Sequence, residues 1–203
     1  MTYERLAQIS LGDGLSLNET AALVEVLYRR EGALSWSFQE CGKLSMEAVS
    51  KMEIATVHHT PWQCKTFPIP RKLEGEVMKM LQDRIDAGRL ERSQASYRNP
   101  WFLVSKKNGK YRLINNAQHI NRVTIRDAGL PPSANLYSEK FTGSTRTSVI
   151  DFDSGYDQVS LIWHSRDITT FHTPLGLLQM TTLPQGGTNS VSQFQRCAEI
   201  VLN

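Results

Sequence analysis

Residues 147–159, Thr-Ser-Val-Ile-Asp-Phe-Asp-Ser-Gly-Tyr-Asp-Gln-Val, constrain the chain more than any other stretch. Thr147, Val149 and Ile150 are β-branched and predict a short buried strand. That strand runs into Asp151 and then into the turn formers Asp153, Ser154 and Gly155. A carboxylate beside an apolar strand needs a cation, a hydrogen-bond donor or a metal. A lone Asp at such a place is most simply a strand-end turn residue, so its neighbours have to decide.

Size and composition narrow the field. A chain of 203 residues can bury one good-sized core or two small ones. Hydrophobic content of 40% with 21% charged residues indicates a globular chain rather than a disordered one. No apolar run approaches the ~20 residues of a membrane span, and the opening Met-Thr-Tyr-Glu-Arg has no apolar signal core. An intracellular, non-secreted, non-membrane protein is therefore expected. Cys41, Cys64 and Cys197 lack metal-type spacing and read as thiols in a reducing compartment. His58 and His59 near Cys64 form no complete ligand set.

Charge is unevenly spread. Arg92, Arg98, Lys106, Lys107, Lys110, Arg112, Arg122 and Arg126 occupy a stretch without a single acidic residue. A solvated face usually mixes signs, so this one favours a polyanionic partner.

Along the chain, residues 1–57 predict a helical appendage or linker. Ser16-x-x-Glu19 has the form of a capping box, with Leu17, Ala21, Val24 and Tyr28 on one face and Gly32 as the stop. Residues 58–203 read as the main domain. Pro61, Pro68 and Pro70 make residues 58–72 an extended arm. A helix from Leu73 to Ala87 follows, with Val77, Met78, Leu81 and Ile85 on its inner face and Gly88 ending it. Asn108-Gly109 between two apolar-alternating runs predicts a hairpin. Its tip gathers Lys106, Lys107, Lys110 and Arg112, which suits phosphates passing beneath, or simply a charged edge that discourages aggregation. Residues 121–143 read as a polar, turn-rich connection marked by Pro131 and Pro132. Strands are expected around Tyr156–Leu161, Ile168–His172 and Leu177–Leu183. The stretch from Leu183 then opens a helix with Val191, Phe194, Cys197 or Ala198, and Val201 on one face.

Three ordered blocks, Tyr97–Asn115 continuing to Asn121–Thr124, Val149–Val159, and Leu183–Arg196, resemble the reverse transcriptase of gypsy-type LTR retrotransposons. The resemblance covers roughly His59 to the end of the chain. It implies an α+β fold with reverse-transcriptase-like fingers and an incomplete palm, preceded by the helical N-terminal appendage. It further implies RNA-directed DNA polymerisation with Mg²⁺, with an RNA/DNA template-primer and a deoxynucleoside triphosphate (dNTP) as partners, as part of a longer polyprotein. By that resemblance Asp151 is catalytic and ligates metal with the Phe152 carbonyl. Lys106, Arg112, Ser154, Gly155, Tyr156 and Gln185 face the nucleotide, while Lys107, Lys110, Gln185 and Gly186 face nucleic acid.

Departures qualify this expectation. The family's Tyr-x-Asp-Asp motif is missing from these residues, and no Asp-Asp pair occurs in them. The isolated chain is accordingly expected not to polymerise. Asp153 stands where an aromatic or basic residue is usual, and Gly187 is expected to loosen the entry to the last helix. The alternative reading is a non-catalytic nucleic-acid-binding module that uses the basic hairpin.

Overall fold

The computed structural model describes residues 1–11, 14–105, 109, 111–129, 133–143 and 152–202. The strand expected at 147–150 lies outside the described residues, as do Asp151, Lys106, Lys107, Lys110, Pro131 and Pro132. The chain divides into two compact units, Met1–Cys41 and Gly42–Asn203.

In the first unit the capping box forms as its residues dictate. Glu19 N–H donates to Ser16 Oγ, and Ser16 N–H donates to Glu19 Oε2 at 2.8 Å, opening helix α2 (Leu17–Arg29) after a short α1 (Tyr3–Leu6). The expected inner face is corrected: Leu17 and Tyr28 are 89% and 59% exposed. The half-buried positions are Thr20, Leu23, Val24 and Leu27. Apolar residues surround so much of this helix that spacing alone permits several stripes. Arg5 draws the unit together, donating to Glu31 at 2.7 Å and Glu40 at 2.9 Å and lying over the Trp36 ring.

The second unit begins earlier than residue 58. Residues 42–57, expected to be helical, run through the larger unit without a helix, broken by a turn at 46–48. Leu44 N–H donates to Gln158 O, Met52 N–H to Ser160 O, and Ile125 N–H to Ala55 O, all within 2.9 Å. Val49 is buried with Val159, Leu161, Leu183 and Cys197, and Leu44, Met52 and Ile54 pack against that cluster. Burial of these four apolar side chains against a distant core overrides any local helical tendency.

Helix α3 (Glu74–Asp86) matches its expected face, with Val77 and Leu81 fully buried. Gly88 adopts φ +65 at its end. Gly88 N–H donates to Ile85 O and Arg89 N–H to Arg84 O, both at 2.8 Å, which is the Schellman closure that glycine makes accessible.

Strands β1 (Leu90–Arg92), β4 (Phe171–Thr173) and β5 (Gly176–Met180) form an antiparallel sheet in the order β1-β5-β4. Of the strand expected at Ile168–His172, Phe171 and His172 lie in β4, while Ile168 and Thr169 belong to a 3₁₀ turn, Asp167–Thr169. Strands β2 (Trp101–Ser105) and β3 (Tyr111–Asn115) form the expected hairpin, with Ser105 opposite Tyr111 and Val104 opposite Arg112. A two-residue Asn108-Gly109 loop would have set Arg112 opposite Ser105; the register is shifted by one. Since side chains alternate, that shift decides the faces. Leu103 and Leu113 pack on the core while Phe102 and Val104 stay exposed.

Two further expectations change. Tyr156–Leu161 is not a strand but a helical turn, α6 (Gly155–Gln158), followed by bridges from Ser160 to Thr182 and from Leu161 to Met52. The connection after α4 (Gln118–Val123) contains a helix, α5 (Ala134–Phe141). The last helix α7 (Ser190–Leu202) forms as expected but turns Ser190, Gln193 and Cys197 inward, leaving Val191 and Val201 52% and 44% exposed.

The largest core packs α3 on the sheet through Val77, Leu81, Leu90, Trp101, Phe171, Leu178 and Met180. A third cluster, Ala117, Ile120 and Ile168, receives Trp62 from the arm, whose Nε1 donates to the buried Asn99 Oδ1 at 3.0 Å. The arm is extended as its prolines require, paired with the main domain through Gln63 and Arg98.

Asp127 joins the segment after α4 to α7. The Gly129 N–H at 2.9 Å holds its carboxyl below the ordinary aspartate range, and the Arg196 guanidinium adds to this. A depressed folded-state pKa means that this stabilisation is present above the unfolded value of about 3.9 and lost as pH falls through the folded one. Urea midpoints should therefore separate wild type from Asp127→Asn at pH 7, and the gap should close on acidification. A second series tests the helix faces. Leu81→Ala should cost about 2–5 kcal/mol, whereas Val191→Ala should stay within about 0.5 kcal/mol, both read from urea denaturation.

Candidate functional site

The turn that follows residue 151 is shaped by close packing. Ser154 takes the left-handed conformation, φ +50, and is the only non-glycine among the described residues to do so. Asp157 N–H closes the turn on Ser154 O at 2.8 Å, and Gln158 Nε2 donates to Asp153 O at 2.8 Å. Gly155 follows at a point of close approach: a Cβ there would lie 2.5 Å from the Phe194 ring and force it to shift. Phe194, from α7, also meets the Phe152 ring edge-on at 5.7 Å and the Tyr156 ring at 5.2 Å. One aromatic side chain thus seats the whole turn.

Asp157 points the other way, into the protein. It is 3% exposed, with Arg84 Nη1 3.3 Å from both carboxylate oxygens and the Thr182 hydroxyl at 3.4 Å. The last turn of α3, the helical turn α6 and the segment after β5 are therefore tied at one buried charge pair. Spending Asp157 on Arg84 removes it as a free ligand. Among the described residues no three His, Cys, Asp or Glu side chains gather to hold a metal ion.

The turn at 184–189 is clamped from α4. The Asn121 carboxamide donates to Gly186 O at 2.9 Å and accepts from Thr188 N–H at 2.8 Å, spanning the turn. Asn189 repeats the device, donating to Ile125 O and accepting from Asp127 N–H. Gly186 has φ +83. Gly187, expected to loosen the helix entry, has a packing reason instead. A Cβ there would lie 2.5 Å from Ser190 Oγ, which is itself bonded to Pro184 O at 2.7 Å.

These turns meet the hairpin. Gln185, Arg84, Asp157, Ile114 and Asn115 line one cavity of about 30 Å³ with apolar neighbours from β1, β4 and β5. Residues from all three sequence blocks are thereby brought together. Arg112 and Gln185 are exposed, Phe152, Ser154, Gly155 and Tyr156 are half-buried, and Gly186 is exposed at its turn. Asp151, Lys106, Lys107 and Lys110 lie outside the described residues. A larger apolar cavity of about 240 Å³ lies between the arm and the hairpin, lined by Phe67, Ile69, Trp101 and Phe102 among others. It offers no charged group.

Sequence reasoning missed Arg84, Asp157, Phe194 and Asn121 as parts of this arrangement. An Asp one residue past an aromatic in an apolar setting was a visible signal, since buried carboxylates need a partner. No local pattern named Arg84 as that partner.

Residues 104–203 match the family model described as reverse transcriptase (RNA-dependent DNA polymerase). The chain is 27% identical over 195 residues to a retrovirus-related Pol polyprotein from transposon 297 of Drosophila melanogaster, covering 94% of this chain. It is 29% identical over 193 residues to the corresponding polyprotein from transposon gypsy of the same organism, covering 88%. The chain spans 18% of each relative's length. Its fold matches the foamy viral protease-reverse transcriptase solved in complex with RNA/DNA hybrid, with TM-score 0.77 at 19% identity, over 93% of this chain and 25% of that one. The blocks, the fold and the relatives agree: residues 104–203 carry the reverse transcriptase family match, and the chain is similar to the Pol polyproteins of retrotransposons.

Proposed function

We propose that this chain forms the nucleotide- and template-facing part of an RNA-directed DNA polymerase. Asp151 is one carboxylate of its metal site and the Phe152 carbonyl a further oxygen donor. Lys106 and Arg112 hold the triphosphate, joined by the amides of Ser154 and Gly155. Tyr156 lies under the sugar, and Gln185 and Gly186 meet nucleotide and template. Lys107 and Lys110 follow the nucleic-acid backbone. The observation that carries this reading is the convergence of the three blocks on one small cavity, with Gln185 and the Arg84–Asp157 pair in its wall. The foamy viral neighbour holds an RNA/DNA hybrid, which supports template-primer as the partner.

Family members generally use divalent metal ions. When bound, such ions offset the charge of the attacking and leaving oxygens. The oxygen donors that this chain brings are Asp151 and the Phe152 carbonyl, because Asp157 is engaged by Arg84. More than one carboxylate is needed to hold two such ions, and these residues contain no Asp-Asp pair. The 203-residue polypeptide on its own therefore binds template-primer without extending it. A primer-extension assay on an RNA template with Mg²⁺ and dNTPs should give no product. Extension that disappears in Asp151→Ala would overturn that expectation.

A second reading, a non-catalytic nucleic-acid-binding module, is favoured by the exposed Arg112, Arg122 and Arg126 within the unbroken basic stretch. Both readings predict binding to an RNA/DNA hybrid that weakens steeply with salt, with a log–log slope of about −0.9 per phosphate contact for duplex DNA. Fluorescence anisotropy across a salt series measures it. Replacing Lys106, Lys107, Lys110 and Arg112 together by Ala should flatten the slope by up to about 4. Unchanged binding in that variant would remove the hairpin from the interface.

A further inference from the structure

Asn115, one of the residues lining the cavity beside Gln185, carries an unexplained buried acceptor. Asn115, at the end of β3, is 8% exposed. Its Nδ2 donates to Thr169 O at 2.9 Å and approaches Met180 Sδ at 3.8 Å. A carbonyl can only accept, so the amide nitrogen must face Thr169 and the orientation of the carboxamide is fixed. Its Oδ1 is left buried with no hydrogen-bond partner among the described residues. Buried amide oxygens in native proteins are nearly always satisfied, by protein or by ordered water.

The surroundings say which. The cavity of about 30 Å³ is lined by Asn115, Gln185, Arg84 and Asp157. A buried water needs about 10–15 Å³ and two to four polar partners, and this space supplies both. Gln185 itself makes no hydrogen bond within the described residues, so nothing else in its turn fixes the direction of its carboxamide.

We infer that Asn115 is a positioning residue for Gln185, acting through one ordered water in this cavity. The water donates to Asn115 Oδ1 and to the Asp157 carboxylate, and it accepts from the Gln185 amide. Gln185 is thereby held against the Arg84–Asp157 pair with its side chain directed before any ligand arrives. That the directed side chain serves a nucleotide rests on the function proposed above; the water relay itself does not.

Nuclear magnetic resonance on the ¹⁵N-labelled 203-residue chain tests the relay directly. In the wild type the Gln185 side-chain amide should show a cross-relaxation peak to a long-lived water, and its two protons should have well-separated shifts. In Asn115→Val the water peak should be lost and the two shifts should move toward solvent-exposed values. Should Asn115→Val fail to fold, the wild-type water peak alone decides, and its absence overturns the inference. A Gln185 amide that behaves identically in a folded Asn115→Val would overturn it too. Titration with a dNTP separates this from the wider reading. Weaker binding of dNTP by the variant, with RNA/DNA hybrid affinity unchanged, supports both. A wild type that shows the water peak but binds no dNTP keeps the relay and sinks the nucleotide role.

Discussion

The arrangement of the reverse-transcriptase motifs in this chain depends on one buried carboxylate. Asp157 sits among α3, α6 and the strand end at Thr182, and its charge is met by Arg84. The contacts are 3.3 Å, longer than the 2.7–2.9 Å of a strong charge-assisted bond. As a net stabiliser the pair is therefore modest, because desolvating both charges offsets most of their attraction. As a constraint it is severe. Removing Arg84 would leave the buried Asp157 charge without its cation, at a cost of about 3–5 kcal/mol. The pair thus fixes where α3 must end relative to the turn after residue 151, and it forms one wall of the cavity that the three motifs share.

The turns at 152–158 and 184–189 are held by different means. The turn at 152–158 is seated by shape, with Phe194 filling the space that Gly155 leaves open. The turn at 184–189 is held by polar clamps, since Asn121 and Asn189 each satisfy one carbonyl and one amide across the chain. Both modes draw on α7 or its entry, so the final helix organises the site without presenting a charged group to it. Gly187, which looks like a flexibility element in the sequence, is instead a residue of close approach. Supporting loop residues from packed helices limits their freedom, as a site that binds a defined ligand requires.

Segment 42–57 belongs to the larger unit although no local pattern announces it. It has no strong periodicity, yet its backbone pairs with residues 123–125 and 158–162, more than sixty positions away. Its apolar residues complete a core that the later segments leave open. The same holds for the hairpin register. The Asn-Gly pair in the sequence predicts a reversal, but the packing of Leu103 and Leu113 on the core selects which residues face each other.

What the sequence determined by itself is what a few neighbouring residues can encode. The Ser16–Glu19 box starts a helix and Gly88 ends one, because each acts on backbone groups within one turn. The ordered motif blocks carried the family assignment for the same reason: each is a contiguous pattern. Only the tertiary structure decided which helical stripes are buried, that Asp157 belongs to Arg84, that Asn121 grips the turn at Gly186, and that the Asn115 side-chain oxygen is buried without a partner. Those pairings join residues tens of positions apart, and each is chosen by burial and by the need of an enclosed polar group for a partner. Neither demand exists until the chain has folded around it.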